Sequence, residues 1–314
     1  MKKQRKIYRM FLIMSSILLL LSISVNIYFG ICYIQGVSYL QNIEEIYNME
    51  SGILRNNLEF HDGEEYEIQY DFSHENYELL KSKYKLENIA KNGTEFEKTI
   101  RLMNEYASRL THKSDYDNHI LISALDLLEY SLDNKNHGIN CRNKAQILNE
   151  MCLSIGINAR KVWINPYSYY DNDCHVVNEI WDCTLNKWIM VDITNNEYWV
   201  DENNRPLSIL EIRNKVMMHD FCTPVIVGEK TNNLQKLKEK HIDDFLYIVK
   251  NMVYMVYCTK YTVRESENLY MLLPQNIPTT YEWIIGKNAI EKSPINSFFK
   301  QLLAEEINKV IGLI

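Results

Sequence analysis

Residues 138–164 read GINCRNKAQILNEMCLSIGINARKVWI, and residues 174–194 read CHVVNEIWDCTLNKWIMVDIT. These two stretches decide the fold. The first turns at Asn136-His137-Gly138 and then runs as a helix over Arg142–Ile155, with Gly156 just past its end. Ala145, Leu148, Met151, Cys152 and Ile155 recur at helical spacing and mark its apolar face. Apolar alternation then predicts strands over Arg160–Ile164, His175–Trp181 and Trp188–Thr194.

Working outward, Asn92-Gly93 marks a turn, and a helix follows Thr94 with Phe96, Ile100, Met103, Tyr106 and Leu110 on one side. A second amphipathic segment covers Leu121–Leu132. Glu64–Phe72 alternates as a strand, Asn232–Tyr257 reads as a further amphipathic helix, and Leu269–Pro274 as a short strand. Helices first and strands afterwards indicate an α+β fold and exclude a wound βαβ sheet. The chain divides into a basic tip and apolar anchor (1–35), an acidic connecting region (36–93), the core (94–230) and a C-terminal helical and β segment (231–314).

No charged residue occurs between Arg9 and Glu44. The run Met10–Ile34 is long enough to cross a bilayer as a helix, and longer than the apolar region of a cleaved signal. Lys2, Lys3, Arg5, Lys6 and Arg9 precede it, whereas no base follows until Arg55. The positive-inside rule therefore places the amino terminus in the cytoplasm and the bulk of the chain outside, held to the lipid bilayer through residues 10–34. Of 34 Lys+Arg and 41 Asp+Glu, those five bases lie in the tip, leaving 29 bases against 41 acids. So acidic a body has no broad attraction for a phosphate backbone, and no nucleic-acid partner is expected.

Seven cysteines are present: Cys32 in the apolar run, and Cys141, Cys152, Cys174, Cys183, Cys222 and Cys258 beyond it. The six outside it leave disulfide pairing open. Neither CxxC nor HExxH occurs, so no spacing resembles a zinc site, and there is no D-x-D-x-D-G calcium loop.

Cys141 stands where a turn passes into a helix. The free N–H groups and dipole of a helix start favour a thiolate, and Arg142 adds positive charge. Cys152, on the apolar face, reads as a buried, inert thiol. If Asp182–Leu185 is a four-residue hairpin loop and Trp181 pairs with Asn186, His175 and Asp192 lie directly opposite, close enough for the carboxylate to hold the imidazole. A slip of one residue would separate them. Asp171-Asn172-Asp173 reads as a solvated turn, and Tyr167, Tyr169 and Tyr170 as a surface loop that could also line a groove. Trp181 and Trp188 read as hairpin core, and His137 as too close to the turn to serve Cys141. Asn92-Gly93-Thr94 is a sequon of consequence only in a glycosylating pathway.

In order and spacing, NCRNKAQIL, GINARKV, HVVNEIW and WIMVDIT resemble the core of the transglutaminase-like superfamily of papain-type cysteine enzymes, over about Phe96–Arg213. Ile193 stands where that family often has proline. The resemblance implies a papain-like α+β core with Cys141 as nucleophile, His175 as general base and acid, and Asp192 as the orienting residue. It implies acyl transfer or hydrolysis on peptide or protein amides through a thioester. The alternative is a catalytically silent binding or scaffold module on the same fold.

Overall fold

The computed structural model describes residues 2–61, 67–168, 171, 173–228, 234–264, 269–277 and 300–301. Two compact units result, residues 1–49 and 50–314. The described residues of the first are helical, within α1 (Lys2–Arg55). Its window Met10–Gln35 is 26 residues long with a mean hydropathy of 2.3 and none of it buried. That length and composition suffice to cross a membrane, a property shared with signal sequences.

The second unit is a mixed fold of helices and a largely antiparallel sheet. Helix α4 (Glu95–Ala107) begins with a reciprocal cap: Thr94 Oγ1 accepts from the Glu97 N–H at 3.2 Å, while Glu97 Oε2 accepts from the Thr94 N–H. The cap satisfies two donors that a helix start leaves open. Helix α5 (Ala124–Asp133) starts later than periodicity suggests, because Ser123 caps it and leaves Leu121 exposed. Within the stretch read as connecting, α2 (Asn76–Tyr84) and α3 (Leu86–Ala90) form, and α2 packs on α6 (Cys141–Ser154).

Helix α6 opens one residue earlier than the sequence suggests, with Asn140 Oδ1 accepting from the Asn143 N–H at 3.1 Å. At its far end the Ile157 N–H returns to Cys152 O and the Gly156 N–H to Leu153 O. That double bond pattern needs a left-handed residue, which Gly156 supplies with φ +80°. All twelve residues Asn143–Ser154 are buried, so beyond Cys141 and Arg142 the helix has no solvent face; α2, α4, α5 and the sheet surround it.

The sheet runs in the order β10-β9-β7-β2-β3-β4-β5-β6. Its strands are β2 (Ala159–Asn165), β3 (His175–Asp182), β4 (Lys187–Asp192), β5 (Glu197–Val200), β6 (Thr223–Ile226), β7 (Tyr254–Cys258), β9 (Leu269–Leu272) and β10 (Lys300–Gln301). All pairings are antiparallel except β9 with β10. A separate parallel pair joins β1 (Gln69–Tyr70) to β8 (Lys260–Tyr261). Of the stretch expected as a strand over Glu64–Phe72, residues 64–66 lie outside the described residues. The helix expected over Asn232–Tyr257 ends sooner. Helix α8 covers Leu234–Lys250, and the rest becomes β7, buried along its whole length beside β2.

Adjacent strand residues point to opposite faces. On β3, Asn178 Nδ2 donates to Ala145 O of α6, whereas Glu179 Oε1 accepts from the Ile209 N–H that starts α7 (Ile209–Met218). Phe245 and Tyr247 of α8 stack on Trp199 and His175 on the same face as Glu179. The sheet is thus covered on both sides, which explains strands buried almost throughout.

Candidate functional site

The β3–β4 hairpin turns through residues 183–186, with Asn186 at φ 51°, and pairs Asp182 with Lys187 and Trp181 with Trp188. The loop keeps four residues but sits one position later than the sequence reading placed it, so the register moves by two. His175 and Asp192 are therefore not directly opposite. Continued one step, the register sets Asp192 against Val177, a diagonal neighbour of His175. A two-residue shift preserves the face, and the pair still meets: His175 Nε2 lies 2.7 Å from Asp192 Oδ2.

Both side chains are buried. Burial alone would depress the His175 ring, but the Asp192 charge and hydrogen bond, with the attraction of the protonated ring for a Cys141 thiolate that accepts from it, hold it well above the ordinary value. Burial would raise the Asp192 carboxyl. The His175 charge and hydrogen bond, with the Thr194 and Asn195 N–H groups on Oδ1, hold it below the ordinary range instead. Cys141, the first residue of α6, is half-buried and near enough to the ring to act on its protonation. The structure brings these three side chains together. A sulfur, an imidazole and a carboxylate in that order can move a proton from thiol to ring and hold the resulting charge.

Cys152 is buried against Thr99 and its thiol is pushed up to about 12 by burial, in keeping with an inert core residue. All seven cysteines are free thiols. His137 lies face to face on Tyr130 and its Nδ1 bonds Tyr130 O, apart from the site. Trp188 is core under the Arg160 guanidinium, and Trp181 is half-exposed beside it. Lys250 pairs with Asp171 and Asp173, and the Tyr247 hydroxyl donates to Asp173, so this turn is tied to α8 instead of being simply solvated. Tyr167 is exposed; Tyr169, Tyr170 and Asn172 lie outside the described residues.

Three further residues around the site escaped the sequence reading. Lys144, one helical turn beyond Cys141, is 1% exposed, and burial lowers its amine to about 8 against the opposing pull of Asp192 and Cys141. Glu197 pairs directly with Asp192 across β4–β5; burial and the Asp192 charge push its carboxyl up to about 8. The Asn195-Asn196 turn between them was the signal that could have placed it. Tyr247 meets the His175 ring edge to face at 5.4 Å.

Residues 83–193 match the transglutaminase-like superfamily and form a transglutaminase-like core that contains Cys141, His175 and Asp192. Two solved structures resemble the chain weakly. A candidate cysteine protease from Cytophaga hutchinsonii shares 17% identity at a TM-score of 0.31, over 49% of this chain and 51% of that one. A candidate protease from Parabacteroides distasonis shares 16% at 0.26, over 39% and 27%. The chain thus spans about half the length of the first and about a quarter of the second. No curated protein matches it.

Proposed function

We propose that this protein is a membrane-anchored cysteine enzyme that transfers the acyl group of a peptide or protein amide, through Cys141, to water or an amine. One observation carries the reading: Cys141 opens α6 within reach of a His175 ring whose far nitrogen is held by Asp192. With Nε2 engaged, Nδ1 takes the thiol proton as Sγ bonds to the carbonyl carbon and the carbonyl electrons move to oxygen. His175 then returns the proton to the amide nitrogen, the C–N bond breaks, the amine leaves and a thioester remains. Water or an amine, losing its proton to His175, attacks the thioester and releases Cys141. Open N–H groups in the first turn of α6, that of Cys141 among them, favour the oxyanion. The five bases ahead of the apolar helix support a cytoplasmic amino terminus with residues 50–314 outside.

The test is to incubate the full-length protein in detergent with glutamine-containing and cell-wall-type peptides and follow their masses. Cleavage, deamidation or amine incorporation that disappears in Cys141→Ala supports the reading. No product, together with Cys141 alkylation no faster than a free thiol and unchanged by His175→Ala, overturns it in favour of a binding scaffold.

A further inference from the structure

Lys144 is a buried charge that the proposed chemistry leaves unused. Among the described residues its ammonium has no hydrogen-bond or ion-pair partner, although it lies close enough to Asp192 and Cys141 to feel their charge. At 1% exposure the side chain leaves its ammonium only a sliver of contact with water, and a group that supplies hydrogen bonds there relieves a desolvation cost. Asp192 does not: its Oδ2 is engaged by His175 and its Oδ1 by two backbone N–H groups. The first turn of α6 contributes N–H groups with no partner inside the helix, and the positive end of its dipole. The first turn of α6 thus sets a lone ammonium and open N–H donors beside Cys141, in a chain whose overall charge is −7.

We propose that Lys144 is the anion-binding group of this site and receives a carboxylate carried by the acyl donor next to the carbon that Cys141 attacks. The inference rests on the reading of Cys141 as nucleophile and narrows its substrates to amides bearing an acidic group beside the scissile bond. A neutral donor leaves the ammonium unpaired; an acidic one supplies the missing hydrogen bonds and draws its reacting carbon to the sulfur.

Two alkylating reagents of nearly equal shape test this without a known substrate. Iodoacetate carries a carboxylate beside its reacting carbon, and iodoacetamide carries a neutral amide there. Rates are read on the Cys141 peptide of the full-length protein by mass spectrometry. The expected iodoacetate-to-iodoacetamide ratio exceeds that of a free cysteine peptide by about tenfold, the effect of one modest ion pair. Lys144→Met abolishes the excess and Lys144→Arg keeps most of it, with thermal unfolding confirming that each variant is folded. A parent without the excess, or a folded Lys144→Met protein that retains it, overturns the assignment and leaves Cys141 as nucleophile intact. If neither reagent outpaces the free peptide and His175→Ala changes nothing, the nucleophile reading fails, and this proposal with it.

Discussion

His175 and Asp192 meet on a diagonal of the β3–β4 hairpin, 2.7 Å apart through Nε2 and Oδ2, while the register sets Val177 across from the carboxylate. The carboxylate is fixed from behind by the Thr194 and Asn195 N–H groups. The ring is fixed from the side by Tyr247. With Nε2 engaged by the carboxylate, Nδ1 is the ring nitrogen left for Cys141.

Asp192→Asn keeps the shape of that contact and removes its charge. The raised His175 value depends on that charge, so the ring of the variant gives up its proton at lower pH than that of the parent. The folded-state stabilisation from a protonated His175 is complete below the ordinary imidazole value and lost as pH rises through the raised one. In the variant that loss comes earlier. Alkylation of Cys141 by iodoacetamide should slow by about tenfold or more near neutral pH, with its upper pH limit moved down.

The other thiols supply an internal control. Cys152 and Cys222, both pushed up to about 12 by burial, should resist alkylation in the folded protein and react only after denaturation. Mass mapping after brief labelling at neutral pH checks this. Modification of Cys152 as fast as Cys141 would show that the core around α6 opens readily.

Glu197 faces Asp192 from β5, with Trp199 Nε1 donating to one oxygen and Asp244 close by. Its carboxyl ordinarily ionises at 4.5 but is held up to about 8 in the folded chain. Between those values the folded state binds a proton that the unfolded state has lost, so this group makes stability fall as pH rises through the window. Glu197→Gln cannot ionise and escapes that loss. Relative to the parent, the variant should gain on the order of 2–3 kcal/mol between about pH 5 and about pH 8. Glu150, raised to about 7, acts in the same sense but is common to both proteins, so it cancels in the difference. Thermal unfolding across pH measures it, and parallel curves for the two proteins would show that Glu197 is ionised throughout.

The helix that carries Cys141 was legible because a turn and a glycine bracket it. The hairpin register was not, because Asp182 resembles a loop residue. Here it ends β3, and its carboxylate accepts from the Phe96 N–H at 3.1 Å and the Leu185 N–H at 2.9 Å. Left-handed Asn186 takes the loop position instead. The His175–Asp192 pairing survived the error because a strand repeats every two residues. Strand β7 was hidden for a different reason. Tyr254–Cys258 is covered on both faces, so its sequence has no alternation to separate it from the preceding helix. Lys144 escaped because a lysine inside a helix ordinarily lies on the solvent face, and α6 is buried all round from Asn143 onwards.

Arg160, the arginine of the GINAR phrase, lies away from the chemistry and holds the sheet together. It is fully buried, and its Nε and Nη2 donate to Glu179 Oε2 at 2.9 and 2.6 Å across β2–β3. Its guanidinium covers Trp188 of β4 at 4.0 Å and Tyr257 of β7 at 5.0 Å. Glu179 Oε1 accepts from the Ile209 N–H, so the same carboxylate starts α7. Four strands and a helix therefore share one ion pair. Arg160→Met leaves a buried carboxylate uncompensated and should cost about 3–5 kcal/mol, whereas Glu179→Leu strands the guanidinium at a similar cost. Replacing both removes the two charges together, so the double variant should recover much of the loss and show strong non-additivity. The α7 start would still lack its acceptor, which keeps the recovery incomplete. Denaturant unfolding of the two single variants and the double closes the cycle. Additive losses would mean that Arg160 acts on Trp188 and Tyr257 alone and that its bond to Glu179 contributes nothing net.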